Sequence, residues 1–128
     1  MRKLSIILLF IVIFAACDHV NHHDFYIQNN CEESIEVTLN YSGSYNVPAS
    51  GRPLMSNCLI EPNTCKLVGA EGAISVCDDI RWYFTSIVIK KNGVISNGDN
   101  LDYSRWSSSK KSKYHTESYL TINPEDFE

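Results

Sequence analysis

Between residues 103 and 114 the chain gathers Tyr103, Arg105, Trp106, Lys110, Lys111, Lys113 and Tyr114. Aromatic faces stack on ring-shaped ligands, and ammonium and guanidinium groups hold anions. This segment is therefore the candidate binding surface, suited to an anionic glycan or an envelope protein. It stands out because the chain as a whole is acidic, with 11 Lys and Arg against 15 Asp and Glu and a net charge of -4. Nucleic acid is not an expected partner, since its phosphates call for a basic face. The competing role for the same residues is structural: Trp106 and one tyrosine fill the core while the lysines keep a polar loop soluble.

Catalytic patterns are weaker. The run Ser107-Ser108-Ser109-Lys110-Lys111 holds two matches to Ser-x-x-Lys, an acylation motif that needs Ser-Asp-Asn and Lys-Thr-Gly partners, which the chain lacks. No Gly-x-Ser-x-Gly elbow, His-Glu-x-x-His pair or phosphate-binding glycine loop occurs. Asp78 and Asp79 are adjacent, so on a strand they point to opposite faces and do not converge on one substrate. They read as a solvated turn. His19, His22 and His23, flanked by Asp18 and Asp24, are metal-ligating types, but a flexible segment does not hold ligands in fixed geometry. No metal, no other cofactor and no enzymatic activity are expected.

Four cysteines, Cys31, Cys58, Cys65 and Cys77, lie in the body of the chain. An even number in an oxidising compartment suggests two disulfides. Of the three connectivities the favoured one is Cys58 with Cys65, across a turn at Pro62-Asn63, and Cys31 with Cys77. The spacing contains no Cys-x-x-Cys pair, so a structural zinc site has no ligand pattern.

The fifth cysteine, Cys17, sets the location. A cationic start, Met1-Arg2-Lys3, is followed by the apolar run Leu4 to Phe14 and the small pair Ala15-Ala16, the three regions of a secretory signal peptide. Leu4 to Ala16 is too short for a membrane span, which takes about 20 apolar residues. Phe14-Ala15-Ala16-Cys17 resembles the lipobox of bacterial lipoproteins, with Phe14 where that family usually has Leu. The resemblance implies cleavage before Cys17, diacylation of its sulfur and attachment to a membrane through the lipid; cleavage after Cys17 without lipid is the alternative. Residues 1–16 are then the signal peptide, 17–24 the lipidated Cys and a polar tether, and 25–128 one domain. Loss of Arg2 and Lys3 takes the net charge to -6.

Alternation of apolar and polar residues defines the elements. Phe25 and Ile27, then Ile35, Val37 and Leu39, mark strands at 24–29 and 34–41. A Ser/Gly/Pro-rich stretch, 42–53, reads as a long loop. Short strands at 54–60 and 65–69 flank the Glu61–Thr64 turn, and 74–83 fits either a short helix or a strand. Residues 86–97 form a hairpin around Asn92-Gly93, the pair a type I′ turn prefers. Residues 97–113 read as a polar loop, 118–123 as a closing strand, and the acidic tail from Glu125 as frayed.

This pattern predicts an all-β fold, an immunoglobulin-like antiparallel β-sandwich of about seven strands with long loops. The layout, opening at Phe25–Asn30 and closing at Tyr119–Ile122, resembles the small single-domain lipoproteins of the Bacteroidota, which implies the cell envelope and its outer membrane. The expected function is a lipid-anchored envelope protein with a non-catalytic binding or structural accessory role. The rivals are a small secreted inhibitor or effector presenting a disulfide-stapled loop, and a hydrolase.

Overall fold

Every second side chain of β1 (Asn21–Asn29) from His23 to Asn29 is buried, and the same holds for Ile35, Val37 and Leu39 of β2 (Ile35–Tyr41). A period of two with one buried face is what a sheet packed on one side requires. The computed structural model describes residues 21–42, 56–73 and 80–128. Its further strands are β3 (Asn57–Ile60), β4 (Cys65–Ala73), β5 (Phe84–Lys91), β6 (Val94–Ile95), β7 (Trp106–Ser112) and β8 (His115–Ile122), with 3-10 turns at Ile80–Trp82, Tyr103–Arg105 and Pro124–Phe127. Among the described residues no helix is long and apolar enough to cross a membrane.

The strands form two four-stranded sheets, ordered β4-β1-β8-β7 and β3-β2-β5-β6. The fold is an all-β sandwich. Phe25, Ile27, Val68, Trp106, Leu120 and Ile122 of the first sheet share the buried core with Ile35, Val37, Leu39, Ile60, Phe84, Ile87 and Ile89 of the second. Each such side chain contributes about 1.5–3 kcal/mol on leaving water. The Phe25 ring is central, edge-on to Phe84 at 5.4 Å and to Trp106 at 5.9 Å. Gly69 makes room for Phe84: a Cβ there would stand 2.9 Å from the ring.

The expected hairpin is present, with β5 and β6 joined through Asn92 (φ 50°) and Gly93 (φ 81°), both in the left-handed region that the turn demands. Other expectations need correction. Eight strands are described, and one pair, β1 with β8, is parallel, so the sandwich is not wholly antiparallel. Residues 106–112, read as part of a loop, are strand β7. Its six residues after Trp106 are all exposed and show no alternation; pairing with β8 and the buried Trp106 anchor override the weak local signal. Residues 21–24, read as tether, belong to β1. The tail is not frayed, because Asn97 N–H donates to the Asp126 carbonyl and Arg105 pairs with the Asp126 carboxylate at 3.1 Å. The loop at 42–53 lies outside the described residues except Ser42. Of the ambiguous stretch 74–83, residues 74–79 lie outside them, and Ile80–Trp82 is a 3-10 turn.

Candidate functional site

The parallel pairing sets His22 beside His115, Asp24 beside Glu117 and Tyr26 beside Tyr119. All six occupy positions that alternate with the buried residues of β1 and β8, so they line the outer face of the first sheet. The Tyr26 and Tyr119 rings stack at 4.9 Å and 12°. Nε2 of His115 lies 2.8 Å from Oδ2 of Asp24. The Tyr119 hydroxyl donates to Oε2 of Glu117 at 2.6 Å, and Nζ of Lys111 lies 3.6 Å from the same oxygen. The hydroxyl holds the Glu117 carboxyl below its ordinary range, and the carboxylate in turn pushes Tyr119 up to about 12. One ligand atom from each of Asp24, His115 and Glu117 lies within 4.8 Å of the others.

Lys111 carries this face toward the β7–β8 hairpin end. Lys113 is exposed there too, with its Nζ 5.1 Å from the centre of the Tyr114 ring, and so is Lys110, which by register projects from the other side of the sheet. The Tyr114 carbonyl accepts the His22 N–H at 2.7 Å. The cationic hairpin end therefore adjoins the first residues of β1.

The seven residues expected to form one binding surface divide. Lys110, Lys111, Lys113 and Tyr114 stay together at the hairpin end; Tyr103, Arg105 and Trp106 serve packing instead. Trp106 is only 7 % exposed, and its indole N–H donates to the Asn100 carbonyl at 3.0 Å. Arg105 bridges Asn100 Oδ1 at 2.7 Å and Asp126. Tyr103 packs against the core, with its hydroxyl 2.7 Å from Ser108 Oγ and 3.3 Å from Ser118 Oγ. The reason is period: Trp106 is the first residue of β7 and faces inward, and the 3-10 turn before it turns Tyr103 toward the core.

Ser118 Oγ also lies 2.6 Å from His23 Nε2 and 2.7 Å from Ser108 Oγ. A serine within hydrogen-bond reach of an imidazole is the geometry of an activated nucleophile. Here Ser118 has 0 % exposure, and its oxygen is shared among three polar neighbours. A substrate carbonyl has no approach to it, and the cluster is a buried polar network within the sheet.

The cysteines also depart from expectation. Cys31, Cys58 and Cys65 carry no disulfide, and Cys77 lies outside the described residues. The favoured Cys58–Cys65 pairing fails because the Glu61–Thr64 turn carries the chain from one sheet to the other: β3 pairs with β2 and β4 with β1. Cys58 packs against the core, whereas Cys65 is exposed and opposite Gln28, on the outer face. Burial pushes the thiol of Cys31 up, and those of Cys58 and Cys65 likewise. Cys17, like the rest of residues 1–20, lies outside the described residues.

Sequence reasoning names Asp24 only beside the histidines of the expected tether and assigns no role to Tyr26, His115, Glu117, Ser118 or Tyr119. The signal was there in part, since Asp24 and Tyr26 alternate with Phe25 and Ile27, and Tyr119 with Leu120; what was lacking was the strand neighbour, which only the β1–β8 register supplies. No family model, curated protein or solved structure matches this chain.

Proposed function

We propose that this chain is a lipid-anchored, non-catalytic binding protein of the bacterial cell envelope, held through Cys17 in the outer membrane, with the β7–β8 hairpin end as its contact for an anionic partner. The observation that supports the reading is the His22–Tyr114 backbone hydrogen bond, which sets the hairpin end with Lys110, Lys111 and Lys113 beside the first residues of β1. From Cys17 to Asn21 is four residues, a reach of at most about 14 Å. The lysines are thus held close to the surface that carries the lipid. Anionic groups there are the phosphates and carboxylates of headgroups and of glycans attached to them, and each lysine near such a surface contributes about 1 kcal/mol. Burial of Ser118 and the absence of catalytic motifs in the sequence favour binding over hydrolysis.

Two measurements test this. Intact mass and membrane fractionation of the exported protein are expected to show acylated Cys17 as the N-terminus, and Cys17→Ser is expected to release the domain; an unmodified N-terminus at residue 18 refutes the anchor. The released Cys17→Ser domain is then titrated with polygalacturonate and with phosphatidylglycerol vesicles, phosphatidylcholine vesicles serving as control. Binding to an anionic probe that weakens with salt and is lost when Lys110, Lys111 and Lys113 become Ser supports the contact. Binding to neither anionic probe at low salt overturns it.

A further inference from the structure

We propose that His22, Asp24, His115 and Glu117 form a zinc site on the outer face of the first sheet. Two short segments of the same form, His22-x-Asp24 on β1 and His115-x-Glu117 on β8, run parallel and in register, His beside His and carboxylate beside carboxylate. Neighbouring strands lie about 4.8 Å apart, and every second residue projects from the same face. The four side chains therefore stand at the corners of a small rectangle. Three of them already bring ligand atoms within 4.8 Å of one another, and His22, exposed and directly across from His115, supplies the fourth.

Two imidazoles and two carboxylates suit Zn2+, a borderline ion that accepts nitrogen and oxygen in tetrahedral geometry. A flexible tether cannot hold ligands in place, but His22 and Asp24 lie within a hydrogen-bonded strand that β4 and β8 flank on both sides. Small residues, Ala70 and Gly72, pair with Asp24 and His22 on the β4 side. On ligation, His115 exchanges its 2.8 Å contact with Asp24 for a shared ion, and Glu117 keeps one oxygen on the Tyr119 hydroxyl, an outer contact that orients the ligand. The charged and titratable groups facing the site are these four together with Tyr119 on β8, Lys111 on β7, Tyr26 on β1 and Cys65 on β4. Lys111, a loose partner of Glu117 at 3.6 Å and half exposed, opposes the ion.

The test is calorimetric titration of the full mature chain, carrying Cys17→Ser, with zinc chloride. One ion per chain is expected. Asp24→Asn, Glu117→Gln and His115→Ala are each expected to weaken binding by about tenfold or more, with circular dichroism confirming that each variant is folded. The two amide variants are near-isosteric and keep the local hydrogen bonds. Lys111→Ser is expected to tighten binding. Cobalt(II) in place of zinc gives a spectrum without a thiolate charge-transfer band if the site is this one. Absence of binding, binding unchanged in both Asp24→Asn and His115→Ala, or a thiolate band that assigns the ion to the cysteines overturns the proposal.

Discussion

The side-chain amide of Asn29, on β1 of one sheet, donates to the carbonyl of Ile60, on β3 of the other, at 3.1 Å. The same amide lies 2.9 Å from the Glu33 carbonyl and 3.2 Å from that of Glu61, while its oxygen accepts the Cys31 N–H at 2.9 Å. Asn29 is fully buried, and it satisfies backbone groups at two of the crossings between the sheets, from β1 to β2 and from β3 to β4. Asn29→Ala leaves those groups buried without their partner, at a cost of about 1–3 kcal/mol. Asn29→Asp keeps one acceptor and loses the donors, so it is expected to destabilise as well. Urea unfolding of the two variants measures this, and a midpoint unchanged in both would show that the clamp is idle.

Trp106→Ala is expected to cost about 3–5 kcal/mol, because the indole is buried beside Phe25 and its N–H satisfies the Asn100 carbonyl. The triple replacement of Lys110, Lys111 and Lys113 by Ser removes exposed side chains and is expected to leave the melting temperature within a few degrees. Thermal unfolding of both variants separates the packing half of the Tyr103–Tyr114 segment from its exposed half. A similar fall in both would mean that the segment does not divide in this way.

How far the sequence reveals the fold follows from which forces are local. Phe25, Ile27, Val37, Leu39, Leu120 and Ile122 alternate with polar neighbours, so their strands and the all-β sandwich are legible without a structure. Asn92-Gly93 carries its turn in its own backbone preferences. Strand β7 is not legible, since Ser107 to Ser112 have no apolar alternation and pair because β8 offers its edge. The lysines at that edge also discourage pairing with another chain.

The site was hidden for a related reason. His22 and His115 are 93 positions apart in the chain, and nothing in either neighbourhood announces the other; their proximity follows from the parallel β1–β8 register. Trp106 illustrates the converse. Its residue type beside lysines suggests a surface platform, but a strand's first inward position claims it for the core. The thiols fall in the same class, because a turn between Cys58 and Cys65 reads as a hairpin until the two strands are seen to join different sheets.

The Tyr119–Glu117 hydrogen bond gives a signature in pH. Glu117, depressed by the tyrosine hydroxyl, contributes stability that is present above the unfolded carboxyl value of about 4.3 and is lost as pH falls through its lower folded value. Tyr119, raised to about 12 by the carboxylate, contributes stability that is present below the unfolded phenol value of about 10 and is lost as pH rises through about 12. Tyr119→Phe keeps the ring stacked on Tyr26 and removes the hydroxyl, so it is expected to remove the alkaline arm and reduce the acid arm, to which Lys111 and His115 also contribute, while leaving the fold intact. Urea midpoints measured across the acid and alkaline ranges read the two arms, and tyrosinate absorbance counts the late-titrating phenols. Wild type should show Tyr119 and Tyr41 among them, Tyr41 being raised to about 12 by burial; Tyr119→Phe should lose one and keep the other. An alkaline titration identical in the two proteins, or an acid arm of unchanged size after the substitution, would show that the carboxylate draws its partner from elsewhere on the sheet.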